Sequence, residues 1–217
     1  MTFQQMYDNA MVLWDKAGSP YMPQSSFDIF ANNKYNDWVE MMGKAVEQDE
    51  RLMADIQYLF TTFSKANSNT IDRVVDVPTF RRRIRMNITF ADPCSTTTPP
   101  AIKTRNVRPV SNATIDVIQD DPFMKGIDED PIAIATQLAN GNPGWQEFGD
   151  TVPLTFNMTF IRVPQVINSA GAPATPFEAM DYIANYIIRM VVYNMDVTIE
   201  NYNRSKAEEQ DIAAVLS

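Results

Sequence analysis

Residues 79–90 read TFRRRIRMNITF, and the fold turns on how that stretch is read. Its side chains alternate rather than recur every three or four positions. On a strand, Arg81, Arg83, Arg85, Asn87 and Thr89 would fall on one face, and Arg82, Ile84, Met86, Ile88 and Phe90 on the other. A half-buried strand shows this period of two. The spacing therefore predicts a β-strand with most of its arginines in a row along the polar face.

Upstream the period is different. In TFQQMYDNAMVLWDKAGSP, Thr2 and Gln5 have capping-box spacing, and Phe3, Met6, Tyr7, Ala10, Met11, Trp14 and Ala17 line one helical face. Gly18 and Pro20 are stop signals. A second start follows, with Ser25 as cap and Asp28 three residues on. The stripe Phe27, Phe30, Ala31, Tyr35, Trp38, Val39, Met42, Ala45 and Val46 is carried on by Leu52, Met53, Ile56, Leu59, Phe60 and Phe63. This is one long helix, or two with a bend near Gly43 or Gln48. Stripes of this width are core faces.

Downstream, residues 91–109 carry turn chemistry and read as an exposed loop, with Cys94 incidental. Strands are expected at 106–118 and 152–163, with a short strand or helical turn at 132–138 and a turn at NGNPG, 140–144. The last element begins at TPFEAMDY. Thr175 reads as cap, Pro176 as first helical residue and Glu178 as the third member of a capping box. Phe177, Met180, Ile183, Ala184, Ile187, Met190, Val191, Asn194 and Met195 supply its stripe. The class expected is α+β: an N-terminal helical hairpin and a long C-terminal helix form a bundle (1–70 with 175–217), and 71–174 form a β-rich extension, all in one continuous structural unit.

Charge narrows the functional classes. The 217-residue chain carries a formal net charge of −9, which disfavours broad, non-specific nucleic-acid binding. The charge is uneven. Residues 81–110 hold Arg81, Arg82, Arg83, Arg85, Lys103, Arg105 and Arg108 against Asp92. Residues 116–150 hold eight acids against Lys125. The two segments suit pairing within the chain or between chains.

There is one cysteine and no histidine, so an internal disulfide is excluded, and zinc binding and histidine-based catalysis are not expected. No cofactor or metal is expected. The acid pairs at Asp120–Asp121 and Asp128–Glu129–Asp130 lie in a Pro- and Gly-rich stretch, where carboxylates are usually solvated rather than placed across a sugar cleft. They also lack the glycine and spacing of an EF-hand loop. No apolar run spans a bilayer, because YIIRMVVY is broken by Arg189. The first residues lack a signal-peptide pattern, so the four N-x-[ST] matches, at Asn87, Asn112, Asn157 and Asn203, read as chance. Three readings of the arginines remain: contact with another protein chain, favoured because guanidinium pairs with carboxylate through two hydrogen bonds; a solvated strand face; and nucleic acid.

The order of motifs adds a resemblance. The stretches FQQMYDNAMVLWDKAGSPYMPQSSFDIFANNKYNDWVE (3–40), DVPTFRRRIRM (76–86), DPFMKGIDEDP (121–131) and TPFEAMDYIANYIIRMVVYNMDV (175–197) resemble the head-to-tail adaptor, or ring, proteins of short-tailed and crAss-like bacteriophages. Residues 66–80 and 132–150 match that pattern poorly. The resemblance implies a non-enzymatic structural protein of the virion neck, assembled in the host cytoplasm. It implies copies closing into a cyclic, dodecameric ring that contacts the portal and other tail or ring proteins and lets genomic DNA pass, with no membrane partner. The subunit-interface residues expected are Arg81, Arg82, Arg83, Arg85, Arg105 and Arg108 on the basic side, and Asp120, Asp121, Asp128, Glu129 and Asp130 on the acidic side. A ring needs two different complementary faces per subunit. Another tail component, or a module contacting nucleic acid through Arg81–Arg85, is the alternative.

Overall fold

The computed structural model describes residues 1–16, 21–46, 53–111, 114, 115, 118 and 126–215, with residues 15, 16 and 199–215 as backbone. Among the described residues it is an α+β protein with four α-helices and two four-stranded sheets. The chain divides into two compact units. One is Met1–Tyr58 together with Pro164–Ser217, and the other is Leu59–Val163.

The helical unit is built from α1 (Phe3–Lys16), α2 (Gln24–Val46), the short α3 (Met53–Ile56) and α4 (Asp181–Val215). Both α1 and α2 pack against α4. The capping box forms as the spacing predicts: the Gln5 N–H donates to Thr2 Oγ1 at 3.3 Å, and the Thr2 N–H donates to Gln5 Oε1 at 2.8 Å. Phe3, Met6, Tyr7, Ala10 and Trp14 are buried, as are Phe27, Ala31, Tyr35, Trp38, Val39, Met42 and Val46 along α2. Ala17, Gly18, Pro20 and Gln48 lie outside the described residues, and Gly43 sits inside α2 without ending it.

Two expected caps are not used. At the start of α2 the Pro23 carbonyl accepts the Ser26 and Phe27 N–H groups, so Ser25 does not cap. Asp28 is turned to another task, accepting the Ser169 N–H at 2.9 Å. The capping box at Thr175–Glu178 does not form either. Thr2 and Pro176 make a β-bridge, with Phe3 N–H donating to Thr175 O and Phe177 N–H to Met1 O. That pairing holds 175–177 extended. The Met180 carbonyl instead accepts the first α4 bonds, from Ile183 and Ala184. Glu178 accepts the Tyr35 hydroxyl at 2.7 Å and the Gln165 N–H at 2.6 Å.

The apolar stripe of α2 does not run on to Phe63. A 3-10 turn (Gln57–Leu59) leads into β1 (Phe60–Ala66), so the β-structure begins before residue 70. The remaining strands are β2 (Thr70–Asp72), β3 (Phe80–Ala91), β4 (Ile102–Asn106), β5 (Arg108–Val110), β6 (Ile132–Gln137), β7 (Pro143–Phe148) and β8 (Thr155–Arg162). The 91–109 segment is therefore not all loop, and the strand expected at 106–118 shortens to β5. One sheet has the order β1-β8-β3-β4 and the other β2-β7-β6-β5, antiparallel throughout except for β5 beside β6. The expected NGNPG turn is present: Gly141, at φ +84, supplies the left-handed residue that lets β6 fold back into β7.

The sheets share a core. Met86, Ile88 and Phe90 of β3 and Phe156, Met158 and Phe160 of β8 meet Ile71, Ala133 and Trp145 of the second sheet. The other face of that second sheet is covered by Ile115 and Ile118 over Ile132 and Ile134. Phe156, fully buried, lies in the middle of the shared core. Phe156→Ala should destabilise the protein by about 3–5 kcal/mol in chemical denaturation, the cost of a large cavity. A loss under about 1 kcal/mol would show that this side chain is not packed as described.

Candidate functional site

The charged surface of the β-rich unit is the functional candidate, and β3 is its first part. Pairing with β8 contains two irregularities, between Phe80 and Arg82 and between Arg83 and Arg85. Each gives β3 one residue more than β8, which is a β-bulge. Arg82 pairs with Ile161 and Arg85 with Thr159, whereas Arg83 pairs with Phe160, which belongs to the core shared by the two sheets; Ile161 is buried as well. Paired residues share a face. The expected row of Arg81, Arg83 and Arg85 is thus broken: Arg82 and Arg85 share the face opposite the shared core, and Arg83 takes a core-side register position. Arg81, Arg82 and Arg83 are half-buried and each is engaged within the chain. Arg85 is exposed and has no hydrogen bond or ion pair among the described residues.

The second part lies on β4 and β5. A tight turn at 127–130, closed by reciprocal Ile127 and Asp130 backbone bonds, brings acids to the basic strands. Glu129 accepts Lys103 Nζ at 2.8 Å and Arg105 Nε at 2.8 Å, and Asp130 accepts Arg108 at 3.2 Å. Lys103 also meets Asp92 at 3.2 Å. Four residues expected at a subunit interface, Arg105, Arg108, Glu129 and Asp130, therefore meet within one chain. Asp120 and Asp121 lie outside the described residues. Hydrogen bonds from Lys103, then Arg105, hold the Glu129 carboxyl below its ordinary pKa, and those to Glu129 and Asp92 raise the Lys103 ammonium above its own.

Asp128 is not solvated as the sequence suggests. It is buried, its Oδ1 accepting the Asp150 and Thr151 N–H groups at 3.0 Å each and its Oδ2 accepting the Thr151 hydroxyl at 2.8 Å. Beside it stands Glu147, 1% exposed, with neither carboxyl oxygen hydrogen-bonded among the described groups. Burial first, and the Asp128 charge second, push its pKa up to about 7. Sequence reasoning missed Glu147. The signal was present in GWQEFG, 144–149, where strand alternation places Glu147 on the face of Trp145, although no element was expected between the turn at 140–144 and the strand at 152–163.

A second polar knot went unread. Asp72 Oδ1 accepts the Val74 and Val75 N–H groups, and its Oδ2 accepts the side-chain amides of Asn140 and Asn142 at 2.6 and 2.9 Å. Those bonds, Asn142's foremost, hold its pKa down to about 2. They tie the start of the β2–β3 connection to the β6–β7 hairpin.

On the helical unit, α4 buries Ile183, Ala184, Ile187, Ile188 and Val191. At 100° per residue, Tyr182, Tyr186 and Tyr193 fall together on another face. They are 51%, 41% and 62% exposed. Met180, expected in the buried stripe, is exposed as well. Among the described residues no helix is long and apolar enough to cross a membrane, and no group of three or more His, Cys, Asp or Glu side chains is arranged to hold a metal ion. No protein-family model matches the chain, and no curated protein matches it either.

Removing the Glu129 charge should be felt at Lys103. In Glu129→Gln the Lys103 titration midpoint moves down towards the ordinary lysine value, measured by carbon-13 NMR of the lysine Cε. An unmoved midpoint would mean that the contact does not persist in solution.

Proposed function

We propose that the chain is a structural connector that works by binding copies of itself, as a ring in the neck of a short-tailed phage between portal and tail. The observation that carries this is the tyrosine face of α4. Tyr182, Tyr186 and Tyr193 present amphipathic rings at a spacing that makes a continuous stripe, and tyrosine is enriched at protein interfaces. The order of sequence motifs supports the same class.

In this reading α1, α2 and α4 act as the bundle of the ring subunit, and the two sheets act as its β-rich extension. The exposed Arg85 of β3 is the basic contact offered to carboxylates of an adjacent copy or a neighbouring neck protein. The basic side of β4 and β5 has a different role. With Lys103, Arg105 and Arg108 already on Glu129 and Asp130, it supports the fold of the subunit rather than a phosphate surface. An acidic chain around a DNA path repels phosphate and lets DNA slide.

Light scattering on the purified chain, alone and mixed with a portal protein, tests the reading. One discrete cyclic oligomer is expected, twelve copies if the family resemblance extends to stoichiometry. Tyr186→Asp combined with Tyr193→Asp, or Arg85→Glu alone, should shift it towards monomer while leaving the circular dichroism spectrum unchanged. A wild-type chain that stays monomeric in both conditions contradicts the proposal.

A further inference from the structure

Glu147 is the one described carboxylate that is both almost fully buried and without a hydrogen-bond partner on either oxygen. Its surroundings are specific. A Cβ on Gly149 would stand 2.7 Å from Glu147 Oε1 and 2.8 Å from Asp128 Oδ1. The two carboxyl groups therefore converge on the bare Cα of one glycine. The Asp128 carboxyl is held there by three donors from residues 150 and 151. Ala133 is opposite Glu147 on β6, and the Asn69 carbonyl takes its backbone N–H, so neither neighbouring strand brings a cation. The nearby bases are committed elsewhere, Lys103 and Arg105 to Glu129 and Arg108 to Asp130. Of the charged groups around it, Asp128 is the one that acts on Glu147.

We propose that Glu147 and Asp128 form a proton-binding site that latches the 127–130 turn against the 149–151 corner. With a proton on Glu147 one negative charge occupies the site, and the acid hydrogen has Asp128 as its acceptor. When that proton leaves to solvent, two carboxylates face each other out of water. The arrangement is relieved by moving the turn away, which frees the Asp150 and Thr151 amides. The same movement takes Glu129 and Asp130 from Lys103, Arg105 and Arg108, so the latch also governs when the basic side of β4 and β5 is uncovered. This inference rests on the β-rich unit alone and stands or falls independently of ring formation.

The direction with pH follows from linkage. A carboxyl whose closed-state pKa lies above its open-state value keeps the latch fully closed below the open-state pKa. It loses that contribution as pH rises through the closed-state value. Between the ordinary glutamate pKa of 4.5 and about 7, opening should become about tenfold easier per pH unit, then level off.

Hydrogen exchange on the full chain, corrected for the intrinsic pH dependence of amide exchange, reads this at Asp150 and Thr151. The wild type should lose protection at these two amides across pH 5–7. Glu147→Gln keeps a hydrogen-bond donor in place of the acid and cannot ionise, so its protection should be flat over the same range. Asp128→Asn, which removes the facing charge, lowers the closed-state pKa of Glu147, so the loss should be smaller and complete at lower pH. Carbon-13 titration of the wild-type carboxyl groups gives a check that needs no variant: one glutamate Cδ should titrate near neutrality. Equal pH dependence in wild type and Glu147→Gln, or a wild type in which every carboxyl titrates below about pH 5.5, overturns the proposal.

Discussion

The pairing of β3 with β8 is the constraint on which the rest of the β-rich unit depends. It joins Phe80–Thr89 to Thr155–Arg162, so the whole of β4 to β7 is carried in the loop that it closes. Closing so long a loop costs entropy that only a continuous ladder and a shared core offset. Both are present. Phe156, Met158 and Phe160 alternate inward from β8 against Met86, Ile88 and Phe90 of β3, and β1 completes the other edge of β8. The same pairing fixes where charge appears. Two bulges within the arginine run put Arg82 and Arg85 on the face opposite the shared core, with Arg85 exposed, while Arg83 takes a register position beside the core.

A different device closes the helical unit. Its two parts come from opposite ends of the chain, and the returning segment has little regular structure of its own. Polar side chains at successive turns of α2 satisfy its backbone: Asp28 takes the Ser169 N–H, and Asn32 both accepts from Ile167 N and donates to Ile167 O. Tyr35 adds its hydroxyl to Glu178, which in turn accepts the Gln165 N–H. The Thr2–Pro176 bridge and the Met1 amino group on Asp181 close the end of the unit. Buried backbone needs such partners, and here helix side chains supply what a strand ladder would elsewhere.

Periodicity made much of this legible. The stripes of α1 and α2, the core of α4 and the inward residues of β8 follow directly from spacing, because each lies where burial sets the pattern. The misreadings share one cause: long-range partners overrode local signals. Thr175–Glu178 has every mark of a helix start, yet a bridge to the N-terminus holds it extended. Phe60 and Phe63 fit a helical stripe, yet β8 draws them into a strand. The alternation of β3 is real for residues 85–90 and fails upstream, because a bulge leaves no mark in composition. Of the expected surface residues, the acids at 128–130 were read as solvated or as contacts to another chain. One is buried and two meet arginines or lysine of the same chain, and Glu147 behind them was marked only by the alternation of GWQEFG.

The proposed connector role rests on contact surfaces. Among the described residues Lys103, Arg105 and Arg108 are paired with Glu129 and Asp130, while Tyr186, Tyr193 and Arg85 are exposed. The most direct trial is an electron-microscopy reconstruction of the chain purified on its own at near-physiological salt. A closed ring in which Tyr186, Tyr193 and Arg85 are covered by a neighbouring copy is the predicted result. Particles in which all three remain in solvent, in a ring or out of one, would contradict the account.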